Sequence, residues 1–83
     1  GYVLSLGLRN DDVENLQTYL STIADYYPRA IPVDVSGYFD NETYEAVKAF
    51  QKEQGVPETG VVGATTWRKM ADLYNEIITK DTL

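Results

Sequence analysis

Apolar residues recur at steps of three and four in three segments of the chain, which is the spacing of an amphipathic helix with one buried face. We therefore predict helices over residues 11–24, 41–54 and 64–78. The apolar stripes are Val13, Leu16, Leu20 and Ile23 in the first helix, Ala46, Val47 and Phe50 in the second, and Trp67, Met70, Ala71, Tyr74 and Ile77 in the third. Three short helices that each need a covered face predict an all-α fold, a compact three-helix bundle.

The second and third helices are preceded by two similar segments, residues 36–44 and residues 59–67, which begin 23 positions apart. Each segment starts with a hydroxyl residue and a glycine, and an inward apolar residue and a helix follow. The pattern predicts two similar glycine-turn and helix units, with a positive φ at Gly37. A weaker third copy is indicated before the first helix by Gly7 and Asn10.

Residues that begin and end helices stand at the expected boundaries. Asn10 and Asp40 are predicted N-caps, because their side-chain oxygens accept hydrogen bonds from the first helical turn. Gly55 is predicted to end the second helix in the left-handed conformation. Strand pairing is expected to be minimal, limited to a few residues around Val35 and Val61.

The longest irregular segment, residues 25–35, contains two X-Pro pairs and several aromatic and aliphatic residues. Because proline restricts its own φ and the preceding residue, we expect a stiff loop rather than a flexible linker. The tail, residues 80–83, is expected to fray. The abrupt start of the chain suggests a piece of a larger protein, and residues 1–83 are long enough for one domain.

The chain has a formal charge of −6, from thirteen acidic and seven basic residues. Such a charge repels phosphate groups, so neither nucleic acid nor an anionic membrane surface is an expected partner. No apolar run approaches the roughly 20 residues that span a bilayer.

The chain contains no His and no Cys. Serine–histidine and cysteine–histidine pairs are therefore excluded, as are the common zinc sites, and we expect no metal and no cofactor. The carboxylates cluster at helix starts, where capping and the helix dipole explain them better than glycosidase chemistry. Phe39, Phe50 and Trp67 occupy inward positions and are interpreted as core residues rather than as sugar-stacking platforms.

These blocks together resemble the peptidoglycan-binding domain family of the small three-helix type, found beside catalytic domains in bacterial and phage cell-wall hydrolases. The matching positions are Gly7, Val13, Leu16, Gln17, Leu20, residues 35–39, Thr43, Ala46, Val47, Phe50, Gln51, Gly55, residues 59–63, Thr66 and Trp67. The resemblance covers almost the whole chain. It implies a non-catalytic module that targets an attached hydrolase to the cell wall.

The resemblance further implies peptidoglycan as the partner, through its glycan strand or its stem peptide, together with a covalently linked catalytic domain. It also implies an extracellular or cell-wall location in bacteria. The alternative is a protein-interaction or structural spacer domain that keeps the fold without binding sugar, because fold does not by itself determine function.

Aromatic side chains that the helix pattern does not require mark the candidate ligand site. Tyr26, Tyr27, Tyr38 and Tyr44 fall on loop or outward positions, and a tyrosine suits an amphipathic sugar or peptide. Arg29 offers a planar cation for a stem-peptide carboxylate. We expect these five residues to line one shallow groove at the same end of the second helix.

Overall fold

The computed structural model describes residues 3–81, which form three helices around one core. Helix α1 spans Asp11–Tyr26, α2 spans Asn41–Gln54 and α3 spans Ala64–Asp81. The predicted all-α fold is confirmed, and α2 has the predicted boundaries. Helices α1 and α3 extend further than predicted; residues 80 and 81 belong to α3, and residues 82–83 lie outside the described range.

Side-chain caps begin the first two helices. The backbone N–H of Val13 donates to Oδ1 of Asn10 at 2.9 Å. In α2, Oδ1 of Asp40 accepts from the backbone N–H of Thr43 at 2.9 Å and from the hydroxyl of the same residue at 2.8 Å. At the other end of α1, the proline at position 28 disfavours a helical conformation in Tyr27, which is extended, so the helix ends at Tyr26.

The helices share a core in which α1 packs more closely against α3 than against α2. The buried apolar residues are Leu4, Val13, Leu16, Leu20, Ile23, Val33, Phe39, Ala46, Val47, Phe50, Val62, Met70 and Ile77. Phe39 is fully buried although it belongs to the segment before α2. The stripes predicted from helical spacing therefore supply most of the core, and the two glycine-turn segments supply Phe39 and Val62.

A buried glutamine of α1 holds the first glycine turn. Oε1 of Gln17 accepts from the backbone N–H groups of Ser36 at 2.9 Å and Gly37 at 2.8 Å. Its Nε2 donates to the carbonyl of Tyr38 at 2.8 Å and to the hydroxyl of Thr43 at 3.0 Å. Gln17 thus provides hydrogen-bond partners for the backbone polar groups of this turn from inside the core.

A glutamine of α2 holds the second glycine turn in the same way. Oε1 of Gln51 accepts from the backbone N–H of Gly60 at 3.0 Å. Its Nε2 donates to the carbonyl of Val61 at 3.0 Å and to the hydroxyl of Thr66 at 3.2 Å. The glutamines of α1 and α2 therefore position the turns from which α2 and α3 start. The sequence repeat reflects this shared hydrogen-bonding arrangement.

Within residues 3–81, strand pairing is confined to two isolated antiparallel bridges, Leu4 with Val62 and Arg9 with Tyr38. The pairing expected around Val61 is found at Val62, and the pairing expected around Val35 is found three residues later, at Tyr38, because the N–H of Ser36 donates to the Gln17 side chain. Residues 4–9 thus contact both glycine-turn segments and join them.

Candidate ligand-binding grooves

Two grooves open on the surface of the described residues. The larger has a volume of about 440 Å³, and we call it the Tyr27 groove. Its lining residues are Ile23, Tyr27, Pro28, Arg29, Ala30, Phe50, Glu53, Gln54 and Leu73. The smaller has a volume of about 200 Å³, and we call it the Trp67 groove. Its lining residues are Leu4, Asp12, Val62, Gly63, Ala64 and Trp67.

The Tyr27 groove forms where the chain leaves α1. The carbonyl of Tyr27 accepts from the N–H of Ala30 at 3.1 Å, which closes a turn and leaves the Tyr27 ring exposed. The groove is also lined by three apolar side chains, Ile23 of α1, Phe50 of α2 and Leu73 of α3. The result is an apolar depression with an aromatic ring at its edge.

An exposed ion pair crosses the Tyr27 groove. Nη1 of Arg29 lies 3.4 Å from Oε1 of Glu53, and the two side chains are 82% and 42% exposed. Such an exposed pair contributes only about 0–1 kcal/mol. A ligand carboxylate can therefore replace Glu53 as the partner of the Arg29 guanidinium at small cost.

The structure brings together two of the five predicted site residues, Tyr27 and Arg29. Tyr26, at the end of α1, is exposed and does not line the groove. Tyr38 lies before the start of α2, whereas the groove lies at the end of α2, roughly 18 Å further along the helix axis. The expectation that all five residues line one groove at one end of α2 is therefore wrong.

Tyr38 and Tyr44 have other neighbours. The guanidinium carbon of Arg9 lies 4.6 Å from the ring centroid of Tyr38, a cation–π arrangement on an exposed ring. The ring of Tyr44 packs directly against Gly60, where a side chain would collide with it. Tyr44 is therefore partly buried and packs against the core. A contribution of Tyr26, Tyr38 or Tyr44 to ligand binding stays a prediction.

The three aromatic residues predicted for the core all pack in it or against it, with Phe39 and Phe50 buried and Trp67 partly buried. The Tyr19 ring lies 5.3 Å from the Trp67 ring and 4.3 Å from the Tyr74 ring, measured between centroids. The sequence interpretation did not include Tyr19, although it follows Leu16 by one helical step of three. The three rings form a row between α1 and α3, and Trp67 ends this row at the Trp67 groove.

Hydrogen bonding makes Asp40 a poor proton donor. The N–H and the hydroxyl of Thr43 both donate to its carboxylate and lower its pKa below the usual value. A general acid of a glycosidase needs the opposite shift. Within residues 3–81, no three His, Cys, Asp or Glu side chains converge as metal ligands, and no helix combines the length and hydrophobicity needed to cross a bilayer.

Comparison with known protein families then identifies the fold. The model of the peptidoglycan binding domain family matches residues 9–70, which include both glycine turns and both glutamines. This chain belongs to the peptidoglycan-binding domain family. The match covers α1, α2, both glycine turns and the first part of α3 of this peptidoglycan-binding domain, and it confirms the resemblance seen in the sequence.

Three solved structures resemble this peptidoglycan-binding domain. The SleB N-terminal domain is 27% identical over 88% of this chain and 93% of its own, with a TM-score of 0.74. A peptidoglycan-binding protein from Clostridioides difficile, solved with glutamine hydroxamate, is 32% identical over 88% of this chain, with a TM-score of 0.75. The Burkholderia AP3 phage endolysin is 33% identical over 83% of this chain, with a TM-score of 0.70. The matched region is 42% of the Clostridioides chain and 24% of the endolysin.

Proposed function

We propose that this domain binds peptidoglycan through the Tyr27 groove and holds a covalently linked hydrolase at the bacterial cell wall. The observation that carries the proposal is the groove itself. It combines the exposed ring of Tyr27 with Arg29, whose ion pair with Glu53 is exposed and therefore weak. The domain contributes binding, and the linked domain contributes the chemistry.

The groove suits one disaccharide-peptide unit of the wall. The Tyr27 ring offers an apolar face and a hydroxyl, which together match the mixed apolar and polar faces of a sugar. The Arg29 guanidinium offers two parallel N–H groups to a stem-peptide carboxylate. Because both contacts are exposed, we expect weak binding, which is sufficient for a tethered module on an insoluble polymer.

The relatives support a modular arrangement. The matched region makes up less than half of the Clostridioides protein and about a quarter of the endolysin, so in both proteins other segments lie beside the related domain. Tethering a binding domain to a catalytic domain raises the local concentration of the enzyme at its substrate without new contacts to the reacting bond. We propose that the protein that contains this domain also combines a binding domain with a separate catalytic domain. We further propose that this protein lies at the bacterial cell wall.

We further propose that the isolated domain does not catalyse hydrolysis. Its carboxylates Asp11, Asp12, Asp40 and Glu42 stand in the first turns of α1 and α2 or cap them. The domain should therefore release neither reducing sugar nor free amino groups from purified cell walls. Reproducible release that disappears on changing one of these carboxylates would contradict this part of the proposal.

Retention on purified sacculi free of teichoic acid tests the binding site. We expect Tyr27→Ala and Arg29→Gln each to reduce retention several-fold, since each removes one contact of the groove. Tyr38→Ala and Arg9→Gln are matched controls, because they change an exposed tyrosine and arginine at the other end of α2. The two control variants should bind as the parent does, and melting curves should show that all four variants fold.

Two outcomes would contradict the proposal. If the control variants lose retention while the Tyr27 and Arg29 variants keep it, the site lies around Tyr38 instead. If the parent domain is not retained at all, the domain is a protein-interaction or spacer module that keeps the fold without binding the wall.

A further inference from the structure

The internal repeat places Tyr44 of α2 and Trp67 of α3 at equivalent positions, 23 residues apart. The ring of Tyr44 is covered by the next glycine turn, where Gly60 leaves space for it. The preceding turn lies against the start of α1 in a looser contact, because a Cβ at Gly37 would be 3.7 Å from the carbonyl oxygen of Asn10 and 3.9 Å from Oε2 of Glu14. In both cases, a glycine turn covers the first turn of the helix before it.

Trp67 has no such cover among the described residues. The chain continues as helix α3 to Asp81, so no glycine turn follows Trp67 within the range 3–81. The Tyr19 ring packs against one side of the indole, and the Trp67 groove lies on another. The groove therefore lies on a side of the indole that the Tyr19 ring does not cover.

The lining of the Trp67 groove is apolar except at one point. Leu4 and Val62, joined by a backbone bridge, form one wall, and the Trp67 indole forms another. Gly63 contributes no side chain, and a Cβ added there would meet nothing within 4 Å. The exposed Asp12 supplies the carboxylate of the lining, and it has no ion pair with another residue of the described range.

We propose that the Trp67 groove binds an aliphatic primary ammonium group, such as the side-chain amine of a diamino acid in a wall peptide. The inference rests on the proposed function, because it names the part of the wall that this second groove contacts. The aliphatic stem packs between the indole and the Leu4 and Val62 side chains. The ammonium meets the Asp12 carboxylate and the electron-rich face of Trp67.

The charges and the lining favour this ligand over the other groups of the wall. A peptide carboxylate would be repelled by Asp12, and the lining of this groove contains no cationic side chain to hold it. A sugar ring carries hydroxyl groups on most of its edges, and a largely apolar groove would leave most of them without partners. A narrow aliphatic chain with one terminal cation needs apolar walls and one anion, which is what the groove provides.

Cross-linking of the wall should affect how tightly its peptides bind to the Trp67 groove. Acylation of an amine removes its positive charge, as lysine acetylation does. A diamino acid whose side-chain amine is acylated in a cross-link is therefore a weaker ligand than one whose amine is free. The domain should favour wall regions that carry free side-chain amines.

Intrinsic fluorescence tests the site directly, because Trp67 is the sole tryptophan of the sequence. The probes are Nα-acetyl-lysine amide, which keeps its ε-ammonium, and Nα,Nε-diacetyl-lysine amide, which does not. We expect the first probe to change Trp67 emission saturably in the millimolar range and the second to leave it unchanged. Asp12→Asn should weaken the response about three- to tenfold. Asp11→Asn is the matched control, because it removes the same charge from the same helical turn outside the groove.

Retention on sacculi separates this proposal from the proposed function. Acetylating the free amines of the sacculi should reduce retention of the parent and leave the weaker retention of Asp12→Asn unchanged. If the parent is retained equally on both preparations and neither lysine probe changes Trp67 emission, the ammonium site is refuted while wall binding stands. If the lysine probe binds but the parent is not retained on any sacculi, wall binding itself fails. An equal response of Asp11→Asn and Asp12→Asn would show a general charge effect and overturn the site.

Discussion

Gln17 and Gln51 hold two glycine turns with matching hydrogen bonds, although 20 residues separate Gln17 from Gly37 and 9 separate Gln51 from Gly60. The difference in spacing arises because α1 continues further beyond its glutamine than α2 does and because a longer loop follows α1. In both units, the amide spans the turn from the glycine N–H to a threonine hydroxyl in the first turn of the next helix, Thr43 or Thr66. The hydrogen-bonding pattern, rather than the loop length, is what the two units share.

The two glutamines should differ in their contribution to stability. Gln17→Ala leaves the N–H groups of Ser36 and Gly37 without an acceptor, whereas Gln51→Ala leaves the N–H of Gly60. We expect losses in unfolding free energy of roughly 3–5 kcal/mol for Gln17→Ala and roughly 2–3 kcal/mol for Gln51→Ala. Urea unfolding of both variants measures the difference, and the reverse order would contradict it.

Phe50→Ala should remove a central part of the core. Phe50 is only 4% exposed, and its truncation leaves a cavity beneath the Tyr27 groove. The expected cost is roughly 3–5 kcal/mol, a large fraction of the roughly 5–10 kcal/mol that keeps such a domain folded. The exposed Lys52 provides a control, and Lys52→Ala should melt close to the parent. A Phe50→Ala melting temperature within a few degrees of the parent would contradict this account of the core.

Gly60 should tolerate alanine much less well than Gly55 does. Both have a positive φ, 74° and 71°, but an added Cβ at position 60 collides with Tyr44, whereas one at position 55 meets nothing within 4 Å. We expect Gly55→Ala to cost about 1 kcal/mol and Gly60→Ala to cost more than about 2 kcal/mol. Combining Gly60→Ala with Tyr44→Ala should recover part of the loss in a double-mutant cycle. Strict additivity would show that the two residues do not compete for space.

Acid should weaken the start of α2. The pKa of Asp40 is lowered in the folded protein by the two hydrogen bonds from Thr43, so the folded state favours its ionised form. This stabilisation is fully present above the unfolded pKa of about 3.8 and is lost as the pH falls through the lowered folded value. Asp40→Asn keeps a capping oxygen but cannot titrate. Between about pH 5 and pH 2, the parent should therefore lose more stability than Asp40→Asn does. Parallel slopes in melting temperature would refute this role.

A side-chain cap is missing at the start of α3, and adding one should stabilise the domain. Gly63 occupies the repeat position of Asp40, and Thr66 occupies that of Thr43. Because φ at Gly63 is not positive and an added side chain meets open space, Gly63→Asp should cap Thr66 as Asp40 caps Thr43. We expect a gain of about 0.5–1 kcal/mol in unfolding free energy. Gly63→Ala, which adds a Cβ without a capping oxygen, should show a smaller gain, and equal gains would contradict the capping explanation.

The sequence predicted those structural features that depend on residues close together in the chain. The stripe of Val47 and Phe50 predicts the buried face of α2, and Asp40 predicts its start, because helical spacing and capping act within a few residues. The family resemblance then predicted the fold as a whole. The sequence alone placed Tyr27 and Tyr38 near each other, since both belong to the same tyrosine-rich region.

The path of the loop separates these two tyrosines, and long-range contacts determine that path. The hydroxyl of Ser21 donates to the carbonyl of Val33 at 2.6 Å, and Gln17 binds Ser36, so the chain runs back along α1 from its end toward its start. Tyr27 and Tyr38 therefore lie at opposite ends of the loop. Helical spacing and turn chemistry carry no signal for contacts between residues 12 or more positions apart, so the site was less predictable than the fold.

The short segment from Leu4 to Arg9 gives the domain a defined response to mechanical tension. Leu4 and Val62 exchange backbone hydrogen bonds of 3.0 and 2.8 Å, and Leu8 accepts from Phe39 at 2.8 Å further along. A pulling force on the backbone before Leu4 would load the pair with Val62 first, because this pair is the first backbone contact within residues 3–81. Leu4 and Val62 also form a wall of the Trp67 groove. A strained connection to a neighbouring domain would therefore open this groove before it disturbs the helices or the Tyr27 groove.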